Sequence, residues 1–266
     1  MMNIEGKVAV ITGGANGIGE TVAKEFAKRG SKIILADLDE KNLQRVKQDI
    51  SGSGGEVDYI VVNVTKEEDS EKLMKFAVDR FGSLNILIPC AGIIRDNMLL
   101  SLDRETRKVS KKLSLTDWNA VLNVNLTGTF LCVREAAELM VNNNFEGIIF
   151  TISSINKEGQ IGQLNYSSTK VATALMPKIL IGEFNRRKIR NIRVVGIAPG
   201  YVATPMVKGM DQKYLNEVIL PSIHLNRLIE PEEIADLIAY VCTNEAINAT
   251  TIEITGGLCH KEGIAK

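Results

Sequence analysis

Short runs of consecutive apolar residues alternate along this chain with longer stretches in which apolar residues recur every three or four positions. Residues 8–11 read Val-Ala-Val-Ile with no polar alternation, the pattern of a parallel strand covered on both faces. A glycine-rich turn follows, then helical spacing over 20–29, and the run at 33–36 repeats the strand pattern and ends at Asp37. The same reasoning predicts strands over 59–62, 86–88, 147–152, 192–198 and 251–254, and helices over 67–81, 118–141, 166–184 and 231–242. Pro231 suits a first helical position, with Glu232 and Glu233 at the positive end of the helix dipole. Strands alternating with helices of this length call for βαβ units around one parallel sheet. The expected fold class is α/β: a single doubly wound Rossmann domain over 1–266, its parallel sheet flanked by helices on both faces.

Composition narrows the partners. With 45% hydrophobic residues in 266, the chain can bury one large core. Lys plus Arg and Asp plus Glu are 32 each, so no global field draws nucleic acid or an anionic membrane, and neither is expected as a partner. No apolar run is long enough to span a bilayer, and residues 1–7 lack the pattern of a signal peptide. Cys90, Cys132 and Cys242 lie in apolar segments and read as buried thiols, with no C-x-x-C pair, which fits a reducing cytoplasm. Cys259 beside His260 is a single pair of ligand types, and no metal site is expected.

Between the first predicted strand and helix stands Thr12-Gly13-Gly14-Ala15-Asn16-Gly17-Ile18-Gly19. Glycines there permit a tight turn and let backbone N–H groups at the helix start approach a pyrophosphate. Turns need glycine for other reasons, so Asp37 matters more. It closes the second strand, where a carboxylate can accept from the ribose hydroxyls of adenosine and would repel the 2′-phosphate of NADP. NAD is therefore the expected cofactor, with NADP the less favoured one. Asp37 could instead cap the next helix, a task that Asp39 could equally do.

Tyr166 and Lys170 open the helix predicted over 166–184. Residues i and i+4 share a helix face, so phenol and ammonium can point into one cleft. A phenol of pKa about 10 is a poor base near neutrality, and a nearby cation favours its phenolate. Such pairs are also common on helix surfaces, so the spacing alone leaves both readings open.

Five pieces occur in one order: Thr12-Gly13-x-x-x-Gly17-x-Gly19, Asn125-Leu126-Thr127-Gly128, Ile152-Ser153-Ser154, Tyr166-x-x-x-Lys170 and Pro199-Gly200-Tyr201-Val202-x-Thr204. In this order the chain resembles the short-chain dehydrogenases/reductases over about residues 5–257, and the stretches 154–156 and 159–166 look like those of 3-oxoacyl and acetoacetyl thioester reductases. The resemblance implies an NAD(H)-dependent oxidoreductase that moves a hydride between nicotinamide and a carbonyl or secondary alcohol. Its substrate would be a small molecule or an acyl thioester, and its assembly a homotetramer.

The resemblance also implies residue roles. Tyr166 would exchange the proton, Lys170 would bind the nicotinamide ribose and lower the phenol's pKa, and Ser154 would stabilise the substrate oxygen. Asn125, in a helix that the family interrupts, would hold a water on the path from Lys170 to solvent. Gly13, Asn16, Gly17, Ile18 and Gly19 would hold the pyrophosphate. Pro199, Gly200, Val202 and Thr204 would meet the nicotinamide. Where the family has Asn-Asn-Ala-Gly, this chain has Pro89-Cys90-Ala91-Gly92; Ala91 and Gly92 still permit close approach of adenosine. Asn63, followed by Val64, replaces the usual Asp at adenine, and its amide oxygen is expected to accept the adenine amino hydrogen. Thirteen residues back from Tyr166 stands Ser153, whereas the local motif selects Ser154. Adjacent strand residues face opposite sides, so one serine reaches the cleft; Ser154 is the expected one and Ser153 the alternative.

Residues 98–102 and 109–113 flank 103–108 and read as an inserted β-hairpin, made locally basic by Arg95, Arg104, Arg107, Lys108, Lys111 and Lys112. The charges either keep a strand edge soluble or form a dock for an acidic carrier or the phosphates of a thioester substrate. A function from another class, a dinucleotide-binding sensor or scaffold without turnover, is motivated by Pro89, Cys90 and Asn63. Against it stand Asn125, Ser154, Tyr166 and Lys170 together.

Overall fold

The computed structural model describes residues 3–258, so Cys259 and His260 lie outside the described residues. Strand β1 (Val8–Thr12) is buried along its whole length because it is clothed on two sides. Ala9 and Ile11 join one apolar cluster with Phe26, Ile234 and Ile238. Val8 and Val10 join the other, with Leu73, Met74 and Met140. Strand β2 (Lys32–Asp37) divides in the same way, with Ile33 and Leu35 on the first side and Ile34 and Ala36 on the second. This is the physical reason that these strands read as unbroken apolar runs.

Strands β3 (Val57–Val61) and β4 (Ile86–Pro89) follow, then a hairpin of β5 (Leu100–Leu102) and β6 (Val109–Lys112), then β7 (Gly147–Ile152), β8 (Ile192–Pro199) and β9 (Thr250–Ile254). The main sheet has seven strands in the order β3-β2-β1-β4-β7-β8-β9, all paired parallel. The chain turns back between β1 and β4, the switch point where doubly wound sheets open a crevice beyond their strand ends. Hairpin β5–β6 is a separate antiparallel pair, as expected for the insertion.

Helices α1 (Gly17–Lys28), α2 (Glu40–Gly52) and α3 (Glu67–Phe81) connect the first four strands. Asp39 caps α2 by accepting from the Asn42 backbone N–H, which leaves Asp37 clear of that task. The helix expected over 118–141 starts earlier, at α4 (Leu115–Leu122), because Ser114 caps it through the Asp117 N–H. It then loosens into a π-helical turn at Asn123–Gly128 and continues as α5 (Thr129–Asn142). The Asn125 side chain binds both backbone groups of Ile93, and the Asn125 carbonyl accepts the Thr129 hydroxyl. These bonds hold the widened turn in place.

Helix α6 (Leu164–Arg186) leads to β8. Beyond β8 the chain folds as short helices α7 (Pro205–Lys208) and α8 (Gln212–Tyr214), followed by a π turn at Leu215–Ile219. Helix α9 (Pro231–Thr243) has Pro231 in its first turn and a capping box between Glu230 and Glu233. No helix of the described residues is long and apolar enough to cross a membrane.

Candidate active site

A cavity of about 670 Å³ opens at the switch point, lined from the ends of β1, β2, β4, β7 and β8. Gly13, Asn16, Gly17, Ile18 and Gly19 form one end of its wall. A Cβ on Gly19 would stand 2.2 Å from the Gly13 carbonyl oxygen, and one on Gly13 would stand 2.7 Å from the Ala91 nitrogen. The turn is thus closed down as far as backbone allows. Asn16 stands at the N-cap of α1 and its side chain makes no capping hydrogen bond, so the first N–H groups of the helix remain for an anion. The residues present therefore fit a dinucleotide.

Asp37 lines the cavity at the end of β2, its carboxylate accepting from the backbone N–H groups of Leu38 (2.7 Å), Asp39 (3.2 Å) and Ala15 (3.3 Å). The Arg45 guanidinium binds the Ala15 carbonyl but is forked onto Glu20 through both its terminal nitrogens. Asn63, Val64, Ala91 and Gly92 also line the cavity. The Asn63 amide oxygen differs from expectation. It accepts from both the Thr65 N–H (3.1 Å) and the Thr65 hydroxyl (2.8 Å), so both lone pairs are already used. At the missing Asn-Asn pair, the backbone of Cys90 and Ala91 is held by Thr12, through its carbonyl and its hydroxyl respectively.

Ser154 and Tyr166 both line the cavity, with the serine hydroxyl near enough to the phenol to favour its ionised form. Ser153 turns away and donates to the Lys170 carbonyl at 2.6 Å. The two serines thus do face opposite sides, and the one facing the phenol is Ser154. Lys170 donates from Nζ to the Ile152 carbonyl at 2.9 Å and lies 5.3 Å from the centroid of the Tyr166 ring. Burial pushes the phenol up to about 12, with the nearby Ser154 hydroxyl acting the other way, and the Asp96 carboxylate adds to the rise. Burial also pushes Lys170 down to about 8, with the Cys90 sulfur acting the other way. The lowered phenol expected from a neighbouring cation is not what this geometry produces. The ammonium sits over the ring face, and desolvation dominates both groups.

Asn125 is buried behind the cavity wall, where its neighbour Val124 takes the surface position. Pro199, Gly200, Val202 and Thr204 line the far wall beyond β8. A Cβ on Gly17 would come within 3.5 Å of the Thr204 methyl, so the glycine turn and this wall face each other closely.

Asp96, which sequence reading passed over, also lines the wall, with Asn156 and Gln163, which the sequence placed in the thioester-reductase-like stretches without a role. Gln163 donates to Asp96 at 2.7 Å and accepts from Asn156 at 2.9 Å. One signal could have flagged Asp96: it follows β4, and loops after the strand ends carry the ligand contacts in such sheets.

A glycine-lined crevice at the switch point of a parallel sheet, with a serine–tyrosine pair and a buried lysine at its base, defines a dinucleotide-dependent oxidoreductase. The model of the short chain dehydrogenase family matches residues 7–215. The chain belongs to that family, whose enzymes act on CH–OH groups with a nicotinamide dinucleotide. It is 34% identical to a 3-oxoacyl-(acyl-carrier-protein) reductase of Thermotoga maritima, covering 97% of this chain and 99% of that one. It is 30% identical to human (3R)-3-hydroxyacyl-CoA dehydrogenase, covering 94% and 95%. Among solved structures, a short-chain dehydrogenase/reductase of Brucella melitensis described as glucose/ribitol dehydrogenase superposes with a TM-score of 0.84 at 27% identity, covering 97% of this chain and 98% of that one.

Proposed function

We propose that residues 1–266 form one catalytic domain that transfers a hydride between NAD(H) and a 3-oxoacyl thioester, on coenzyme A or a carrier protein. The observation that carries the reading is the convergence of Ser154 and Tyr166 on one cavity, with the Lys170 ammonium over the tyrosine ring. The dinucleotide, when bound, supplies or accepts the hydride. In reduction, Tyr166 donates its proton to the substrate oxygen while the Ser154 hydroxyl hydrogen-bonds that oxygen as charge develops on it. A phenol held high is protonated at neutral pH and suits the donor role. Lys170 holds positive charge beneath the ring, where ribose hydroxyls can engage it, and Asn125 keeps the π turn open beside it.

Asp37 supports NAD over NADP, since a carboxylate held by three N–H groups disfavours a 2′-phosphate and the guanidinium at the glycine turn, Arg45, is committed to Glu20. The names of the reductase and dehydrogenase relatives support a 3-oxoacyl or 3-hydroxyacyl thioester as substrate. The cationic hairpin β5–β6 supports a phosphate-bearing or acidic carrier: among the described residues, Arg104, Arg107, Lys108, Lys111 and Lys112 form no ion pair. Exposed Val171, Leu175 and Ile179, in one stripe of α6, with Phe130 of α5, support association of subunits into the tetramer. Free Cys90, Cys132 and Cys242 suit the cytoplasm.

The test follows NADH and NADPH oxidation with acetoacetyl and longer 3-oxoacyl thioesters, beside secondary alcohols with NAD. Thioester-dependent loss of NADH is expected, with KM raised when the six basic residues at 95–112 are neutralised. Turnover with alcohols alone would make the enzyme a secondary-alcohol dehydrogenase and the hairpin a solvated edge.

A further inference from the structure

The cavity contains a charge that hydride and proton transfer do not require. Asp96 lies between β4 and β5, and its backbone is pinned on both sides. Asn165 donates to the Arg95 carbonyl at 3.0 Å, and the Asn97 N–H donates to the Gly162 carbonyl at 2.8 Å. Its carboxylate accepts from Gln163, Gln163 accepts from Asn156, and the Asn156 backbone N–H donates to the Ser154 hydroxyl at 3.1 Å. A continuous set of hydrogen bonds thus places this carboxylate on the same wall as the serine that faces the phenol. Its charge is felt at the reacting position, because it raises the Tyr166 phenol.

No cation offsets it. Among the described residues Asp96 forms no ion pair; Arg95 turns its guanidinium to the Ile94 carbonyl, and Lys170 bonds the Ile152 carbonyl at the tyrosine ring rather than Asp96. Burial pushes the Asp96 carboxyl up, with the Gln163 hydrogen bond working against the rise.

We propose that Asp96 is a specificity-determining residue, a fixed negative charge that turns away substrates with a carboxylate beside the reacting carbonyl and admits their neutral derivatives. The assignment rests on the reading that the substrate oxygen lies between Ser154 and Tyr166. A free 3-oxo acid bound there would bring its own carboxylate to the wall that carries the Asp96 carboxylate, where the two like charges repel. A thioester, ester or amide of the same acid has no such charge. Selection of this kind, by repulsion of the wrong ligand, needs no added contact to the right one.

Acetoacetate and acetoacetamide have nearly the same shape and differ in charge. Neither can be reduced when the bound dinucleotide is oxidised, so ligand-observed NMR titration of the enzyme–NAD⁺ complex reads binding alone. The amide is expected to bind the wild type about tenfold more tightly than the acid, and the ratio to fall to about threefold or less in Asp96→Asn. The ratio cancels any loss of affinity common to both ligands. Retained NAD⁺ binding shows that the variant is folded, and Asp96→Ser repeats the test with a shorter neutral side chain. Equal binding of the two ligands by the wild type, or an unchanged ratio in both variants, would overturn the assignment. Absence of thioester reduction would sink the thioester reading, and the ratio would still judge Asp96.

Discussion

In the proposed reaction Tyr166 gives the proton and Ser154 holds the substrate oxygen, so each role belongs to a single side chain. Tyr166→Phe removes the only proton that the phenol can give while keeping the ring under which Lys170 packs, so kcat is expected to fall by about 10²–10⁴-fold with dinucleotide affinity retained. A fall of less than tenfold in steady-state assays would show that another group supplies the proton. Asp37→Ser removes the repulsion of a 2′-phosphate; the ratio of NADH to NADPH in kcat/KM should drop by about tenfold or more, as expected for one unit charge at close range. Lys170 gives a stability prediction with a definite sign. Its folded value lies near 8 and its ordinary value is 10.5, so the unfolded chain binds more protons between these limits. The cost of burying the ammonium is present in full below about 8 and is relieved as pH rises toward 10.5. In thermal unfolding without dinucleotide, the gain of Lys170→Met over wild type should therefore shrink across that window. A gain independent of pH would contradict it.

Among the elements, the end of α9 depends on one side chain. Arg193 projects from β8 and donates to the carbonyls of Val241, Cys242, Asn244 and Ile247, at distances from 2.6 to 3.2 Å. These are carbonyls at and beyond the last turn of the helix, where a cation also meets the negative end of the dipole. Half-buried, the guanidinium is held below its ordinary value by desolvation, which the four bonds must offset. Arg193→Met should cost about 2–4 kcal/mol in urea unfolding, because several buried acceptors lose a charged donor together. A cost under about 0.5 kcal/mol, the scale of ordinary surface substitutions, would show that water replaces it freely. The π turn in the middle of α4–α5 is an element feature of another kind. Sequence periodicity reads straight through it, because a single wide turn holds too few positions to establish a period of its own. What creates it is the pairing of Asn125 with Ile93, residues 32 apart in the chain.

The whole molecule joins two layers of helices to one sheet, yet it leaves an apolar stripe open. Val171 (44%), Leu175 (55%) and Ile179 (55%) recur every fourth residue along α6 and remain exposed while the opposite side of the helix packs on the sheet. Exposed apolar stripes of this regularity mark association surfaces. Leu175→Glu is expected to shift the mass in sedimentation velocity from oligomer toward monomer. A monomeric wild type would remove the case for the stripe as a subunit contact.

What residue order determined by itself is local. Apolar runs and helical spacings recovered the strands and helices because each burial pattern repeats within a few residues. The glycine turn and Asp37 were legible because each is set by a single turn or strand end, and so was the shared face of Tyr166 and Lys170, although its spacing left the role of the pair open. Fold class followed from the alternation of those elements. The tertiary structure decided matters that depend on groups distant in the chain. It chose Ser154 over Ser153, since only the approach of α6 shows which serine meets the phenol. It used both lone pairs of the Asn63 oxygen on Thr65, and it moved the ammonium of Lys170 over the ring, so that desolvation outweighs attraction at the phenol. It also brought Asp96 beside Gln163, 67 residues further on, and so put a charge in the cleft. Hydrophobic periodicity is a property of neighbours in the chain, whereas hydrogen-bond partners and desolvation are properties of neighbours in space, and only folding supplies those.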